Sequence, residues 1–108
     1  MTKSKQKYIN NIVLNARAEM LSNFDQYDIS AYTWKRLKSC QAYVTENEQF
    51  FILRSYKTVV ACIRKNNLQC YDFLHHVYGY TNTSAQHIRK FIDEYGCPQL
   101  EKYTYKEV

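Results

Sequence analysis

The amino-acid sequence predicts an α+β domain: a small antiparallel sheet of three to four strands, with one or two N-terminal helices and a C-terminal helix packed on the sheet. Apolar residues recur at helical spacing over 8–24 and again over 83–95. Short apolar runs rich in strand-forming residues fill most of 41–74 between them. With two Gly and one Pro in 108 residues, we expect a single domain over 1–108, with loose tails at 1–7 and 100–108.

The N-terminal region predicts a long helix over Tyr8–Phe24, preceded by a short basic stretch that we expect to be frayed. A second helix over Ser30–Cys40, capped by Asp28 or Ser30, is a less strongly marked expectation. The broad apolar face of the first helix is formed by Ile9, Ile12, Val13, Ala16, Met20 and Leu21.

The middle of the chain predicts the sheet. A strand over 41–44 should turn through 45–49 into a strand over 50–56, which carries apolar residues on both faces and is therefore expected at the centre. The next two strands, Val59–Lys65 and Leu68–Leu74, flank a turn at Asn66-Asn67. This register sets Ile63 opposite Cys70, Cys62 opposite Tyr71 and Val60 opposite Phe73, and 75–80 could add a short strand. The face expected to meet the last helix comprises Val59, Ala61, Ile63, Leu68, Cys70 and Leu74.

The C-terminal helix is the most clearly marked element. Thr83 and Gln86 have the spacing of a capping box at its start. Gly96 suits a left-handed residue after the last turn, and Pro98 prevents continuation. Its apolar face comprises Ile88, Phe91, Ile92 and Tyr95.

Charge and composition limit the classes of function and partner that the sequence suggests. A net charge of +5 and a sequence pI near 9.0 favour acidic partners, nucleic acid among them. The sequence has no membrane-length apolar run and no signal-like N-terminus, so we expect a soluble cytoplasmic protein without membrane contact. We expect no cofactor or metal, because the four cysteines lack metal-site spacing and Cys70 with His75 or His76 makes an incomplete ligand set.

The strongest mixture of cations and aromatic rings lies in residues 32–38. Such a mixture can hold a phosphate backbone and stack a base, although an amphipathic helix with a solvated basic face gives the same pattern. Four further cations are candidates for the same role. The complete candidate binding set is Tyr32, Trp34, Lys35, Arg36, Lys38, Arg54, Arg64, Arg89 and Lys90.

Catalysis is the minority interpretation. His87 or His76 could act as general acid and base in a metal-independent ribonuclease, with Arg89 or Arg54 stabilising phosphate charge. However, His87 lies beside the apolar face of the last helix, where a histidine is more often structural. The sequence has no Gly-rich phosphate loop, nucleophile elbow or zinc-protease motif, so we predict no catalytic residues.

Two segments together resemble a recurrent pattern in small proteins of phages and mobile elements of Gram-positive bacteria. They are the Leu-Arg-Ser-Tyr-Lys-Thr-Val-Val-Ala run at 53–61 and the Tyr-Thr-Asn-Thr-Ser-Ala-Gln-His-Ile-Arg-Lys-Phe run at 80–91. Thr81 and Ser84 depart mildly from the pattern, which has serine and threonine there. The resemblance implies a mobile-element accessory protein and carries no catalytic residues. We interpret its residues as fold-specifying, with Tyr80 shaping the start of the last helix and His87 docking it.

These observations favour a protein that acts by binding. The first hypothesis is an inhibitor of a bacterial defence system, in concrete form an anti-CRISPR that binds a CRISPR nuclease with its guide RNA. The alternatives are a nucleic-acid-binding regulator and, third, a small ribonuclease toxin. A monomer and a homodimer are both compatible with the sequence.

Overall fold

The structure, a computed structural model, describes residues 3–25, 27–38, 41–79 and 81–107, without the side chain of Tyr78. The helices are α1 (Lys3–Leu21), α2 (Leu74–Tyr78) and α3 (Asn82–Tyr95), with a 3₁₀ turn at Ile29–Ala31. The strands are β1 (Lys35–Arg36), β2 (Ala42–Glu46), β3 (Phe50–Ser55), β4 (Thr58–Arg64), β5 (Cys70–Asp72) and β6 (Tyr103–Thr104).

All six strands form one sheet in the order β1-β2-β3-β4-β5-β6. The first five strands are antiparallel, and β6 is parallel to β5. The α+β class and the position of β3 inside the sheet are confirmed. The prediction of three to four antiparallel strands was too low, because β1 and β6 have two residues each and are too short to show an alternating pattern.

The two long helices cover opposite faces of the sheet. Val13, Ala16 and Met20 of α1 pack with Phe50 and Ile52 of β3 in one buried cluster. On the other face, α3 contributes Ile88 and Phe91 to a second cluster. The predicted docking of the last helix on the sheet is therefore confirmed. The remaining members of the second cluster are Leu37, Ala42, Val44, Leu53, Val60, Ala61, Ile63, Cys70 and Leu74.

The β4–β5 hairpin follows the predicted register, with Ile63 opposite Cys70 and Cys62 opposite Tyr71. Two members of the predicted face are wrong. The register of β3 and β4 shifts between Leu53 and Arg54, so alternation breaks and Val60, rather than Val59, joins the α3 side. Leu68 is exposed and lies in the turn with φ 59°, a backbone conformation that the prediction had assigned to the asparagines.

Helix α1 begins at Lys3, so the prediction that residues 3–7 are frayed is wrong. Two amide side chains on this helix, Gln6 and Asn10, are buried against the C-terminal strand segment. Gln6 Nε2 donates to the carbonyl of Thr104 at 3.2 Å. Asn10 Nδ2 donates to the carbonyl of Lys106 at 2.7 Å, and its Oδ1 accepts from the Lys106 N–H at 3.1 Å. Residues 103–106 are therefore a fixed part of the fold, and the predicted loose tail is wrong there.

The predicted second helix over 30–40 is also wrong within its described part, and Ser39 and Cys40 lie outside the described residues. The two candidate caps bond each other, Ser30 Oγ donating to Asp28 Oδ1 at 2.8 Å, so neither side chain caps the backbone. Aromatic and β-branched residues follow, which are modest helix formers, and the backbone at Tyr32 is extended. Leu37 is then fully buried in the sheet core.

The short strand expected at 75–80 is wrong over its described part, because Leu74–Tyr78 form the short helix α2. Leu74, expected at the end of the preceding strand, is the first residue of this helix. Asp72 Oδ1 accepts from the Leu74 N–H at 3.0 Å, which satisfies a donor at the start of this helix.

The N-cap of α3 lies two residues before the predicted cap, Thr83. Thr81 is the N-cap, and its hydroxyl accepts from the Ser84 N–H at 3.2 Å. Thr83 is therefore inside the helix, and the predicted role of Tyr80 lies outside the described residues. Gly96 has φ −109°, so it is not left-handed. A Cβ there would lie 3.0 Å from Ile63 Cδ1 and 3.3 Å from the Ile92 carbonyl oxygen, so a larger residue would be tightly packed.

Candidate binding surface at the first edge of the sheet

Strand β1 places two cations at the open end of the sheet. Arg36 pairs with Tyr43 of β2 and Lys35 pairs with Val44, so the two basic side chains belong to opposite faces of the sheet. Both side chains are exposed, and the following residue, Leu37, is fully buried and anchors the segment. The cations thus lie on a strand that the core holds in place.

Arg54 is the centre of this region. It pairs with Tyr43 across β2 and β3, and its guanidinium lies 4.4 Å from the Tyr43 ring and 4.7 Å from the Trp34 ring. Its Nη1 donates to the carbonyl of Tyr56 at 2.9 Å. Its Nε is buried without a hydrogen-bond partner among the described residues. Contact with two rings holds the guanidinium in one position, whereas an arginine without such contacts samples many rotamers.

The aromatic residues beside Arg54 are themselves held. Trp34 Nε1 donates to the carbonyl of Ile29 at 2.7 Å. The Tyr32 hydroxyl accepts from the Asp25 N–H at 2.7 Å. Phe24 links the two rings, with centroid distances of 4.5 Å to Tyr32 and 6.0 Å to Trp34. Tyr32 and Trp34 are therefore held in place, and both are half-buried.

We use the term basic edge for Trp34, Lys35, Arg36, Lys38, Tyr43 and Arg54. Of the sequence-predicted binding residues, Trp34 and Arg54 are in contact, and the strand register aligns Arg36 with Tyr43 and Arg54. Lys35 belongs to the other face of the same strand, and Lys38 is exposed just after it. Sequence reasoning missed Tyr43. The predicted strand over 41–44 contained the signal, since alternation places Tyr43 on the face opposite Ala42 and Val44, which are buried.

Arg64 lies elsewhere and joins α1 to the sheet. Its guanidinium makes two hydrogen bonds to the Glu19 carboxylate, at 2.8 and 3.0 Å, and stacks 4.9 Å from the Phe50 ring. The hydrogen bond from Arg64 lowers the pKa of Glu19 below its ordinary value. Arg64 is thus engaged in the fold. The other two predicted cations, Arg89 and Lys90, belong to α3, which packs on the opposite face from α1.

His87, the candidate general base, is 4% exposed. Its Nδ1 is 2.8 Å from Ser55 Oγ, which in turn is 3.0 Å from Ser84 Oγ. Both serines are buried, and the Tyr56 ring lies 5.8 Å from the imidazole. Burial, followed by the charge of Lys90, lowers the pKa of His87. These contacts join the segment at 53–61 to the segment at 80–91, with His87 buried between them.

The other candidate chemical groups are scattered or buried. The His76 ring is exposed and lies 5.1 Å from the Tyr105 ring. Burial raises the pKa of the Cys62 and Cys70 thiols, which keeps them protonated and unreactive. Within the described ranges, no three His, Cys, Asp or Glu residues are grouped to hold a metal ion.

Comparisons with known proteins give no further assignment. The chain matches no family model, and no curated protein or solved structure shows significant similarity. In the described part of the chain, no helix has both the length and the apolar character needed to cross a membrane.

Proposed function

We propose that this protein acts by binding, and that the basic edge contacts the phosphate backbone of an RNA in a host ribonucleoprotein. The observation that carries the proposal is the Arg54 guanidinium held between Trp34 and Tyr43 beside the exposed Arg36. A fixed cation loses little side-chain entropy when it meets a phosphate, and neighbouring aromatic rings favour bases.

The concrete form of the proposal is inhibition of a bacterial defence system by binding a CRISPR nuclease with its guide RNA. The resemblance to mobile-element proteins supplies the biological context, and the positive charge suits a target that contains RNA. The protein would then occlude a surface that the nuclease needs. This role requires no catalytic group, in keeping with the burial of His87.

Capture from a bacterial lysate that contains a guide-loaded CRISPR nuclease tests this proposal. Tagged wild-type protein should retain the nuclease in stoichiometric amount, and Arg36→Glu should retain much less. A matched variant, Lys57→Glu, changes an exposed cation in the β3–β4 turn and should behave as wild type. Phage interference assays should show restored infection with wild-type protein. Undiminished targeting across several defence systems would contradict the inhibitor role.

A nucleic-acid-binding regulator is the second candidate, and the exposure of Lys35 and Arg36 on both sides of one strand favours it. It predicts affinity for RNA or DNA alone that falls steeply with salt, because each phosphate contact releases counterions. Nuclease digestion separates the two candidates: a protein partner that survives digestion supports the inhibitor, and nucleic acid that is lost on digestion supports the regulator.

A ribonuclease toxin remains the third possibility. The accessible histidine for that role is His76, since His87 is buried. Growth arrest on expression that His76→Ala abolishes would support a toxin, and harmless expression would count against it.

A further inference from the structure

A second charged surface lies at the other end of the sheet, between α1 and β6. It is an open groove of about 630 Å³. Helix α1 contributes Lys5 and Tyr8, and the C-terminal segment contributes Lys102, Tyr103 and Lys106. Lys5 and Tyr8 are three residues apart and so share one helix face.

The walls of this groove are fixed by hydrogen bonds. The amides of Gln6 and Asn10 hold the backbone of 104–106 against α1. On the strand side, the Tyr103 ring is stacked on Tyr71 at a centroid distance of 5.8 Å. The groove therefore exists before a ligand binds, and little ordering is needed.

The charge of the groove is positive. Three lysines line it against one carboxylate, Glu101. Lys102 Nζ lies 3.0 Å from Asp72 Oδ2, so much of its charge is neutralised. Two more lysines, Lys3 and Lys7, are exposed on the same helix.

An exposed ring accompanies these charges. Tyr8 is 67% exposed, far more than a tyrosine that contributes to the core. A large exposed aromatic side chain among lysines offers a stacking surface beside cations, the combination that single-stranded nucleic acid uses. The acidic side chains of a peptide would also pair with the cations, but they have no flat ring to stack on Tyr8, whereas every base does.

We propose that this groove binds a short segment of single-stranded nucleic acid, with Lys5 and Lys106 at phosphates and a base stacked on Tyr8. The groove and the basic edge lie at opposite ends of the strand order. The protein would therefore hold nucleic acid at two separate places. This inference goes beyond the proposed function and does not depend on it, because no residue of the basic edge lines the groove.

Binding of a fluorescently labelled single-stranded RNA of mixed sequence tests the proposal. Tyr8→Ala should raise the Kd about tenfold, as expected for the loss of one stacked base. Lys106→Gln should reduce the slope of log Kd against log salt by about 0.7, as expected for one lost phosphate contact. The matched controls are Tyr27→Ala, which removes a ring that is 91% exposed, and Lys57→Gln.

To distinguish RNA binding by this groove from RNA binding by the basic edge, the same four variants are also made in an Arg36→Gln background. The Tyr8 and Lys106 effects should persist there, even if Arg36→Gln alone changes nothing. RNA affinities that match those of the controls would overturn the proposal. So would binding of polyglutamate that depends on Tyr8 and Lys106 while RNA binding does not, because the groove would then be a peptide site.

Discussion

The two edges of the sheet are protected in different ways. At β6, the outward carbonyls of Thr104 and Lys106 and the N–H of Lys106 are bonded by amide side chains of α1. At β1, protection comes from the shortness of the strand and from two exposed cations. Short edges and charges also prevent strand addition, but they leave side chains accessible. The comparison teaches that the β6 edge gains stability because its backbone groups are bonded, whereas the β1 edge is protected by side chains that stay exposed.

The largest expected effect on stability comes from breaking the hydrogen bonds that join the β6 edge to α1. Asn10→Ala removes both hydrogen bonds to the Lys106 backbone and the acceptor of the Gln6 side chain at 2.8 Å. We expect a loss of about 2 kcal/mol in the free energy of unfolding, since buried backbone groups lose their partners. Urea unfolding measures this loss, and hydrogen exchange should show faster exchange at 103–106.

The control for this prediction is the neighbouring residue. Asn11 is exposed, so Asn11→Ala makes the same change in helix propensity without touching β6. Equal free energies of unfolding for the two variants would mean that the Asn10 hydrogen bonds to the Lys106 backbone do not stabilise the fold.

A smaller loss of stability should follow from breaking the stack at the basic edge. Arg54→Gln removes the guanidinium from between Trp34 and Tyr43, and we expect a loss of about 1 kcal/mol. Trp34 is the single tryptophan of the chain, so its fluorescence reports on this surface directly. Arg89→Gln, at an exposed helix position, is the control. Unchanged emission and stability in Arg54→Gln would show that the stack is not formed in solution.

The difference between the edges also explains what could be predicted from sequence. Long apolar segments revealed β3, β4 and α3, because burial of their side chains leaves a periodic pattern. The β6 edge left no such pattern, since Gln6 and Asn10 bond to residues almost a whole chain length away. The bulge that moves Val60 to the α3 face has no signal in the alternation itself. The cations at 35–38 were visible as a cluster, but their position on an edge strand depended on the burial of Leu37.

Lowering the pH should reduce the free energy of unfolding without changing binding at the basic edge. In the folded protein, burial and the charge of Lys90 lower the pKa of His87 below its ordinary value of 6.5. Between the folded pKa and pH 6.5, the unfolded chain therefore binds a proton that the folded protein does not. The stability that depends on neutral His87 should be fully present above pH 6.5. The free energy of unfolding should therefore fall as the pH drops from 6.5 towards the folded pKa.

Urea unfolding between pH 7.5 and 5 measures this fall, and His87→Gln should make it shallower. The basic edge contains no His, Asp or Glu, so binding there should hold constant while stability declines. A pH slope that is the same in wild type and His87→Gln would assign the titration to another group.

The smallest expected effect on stability is at β1. Lys35→Gln and Arg36→Gln should each change the free energy of unfolding by less than about 0.5 kcal/mol, because both side chains are exposed. Thermal unfolding followed by circular dichroism checks this. A large loss at either position would mean that the cations serve the fold, as Arg64 does.

The most direct test of the central claim is the affinity of the captured guide-loaded nuclease for the wild-type protein and for Arg36→Glu, measured by calorimetry. The account predicts that charge reversal at the open edge raises the Kd at least about tenfold, or about 1.4 kcal/mol, while Lys57→Glu leaves it unchanged. Equal affinities of the wild-type protein and Arg36→Glu would contradict the assignment of binding to this edge.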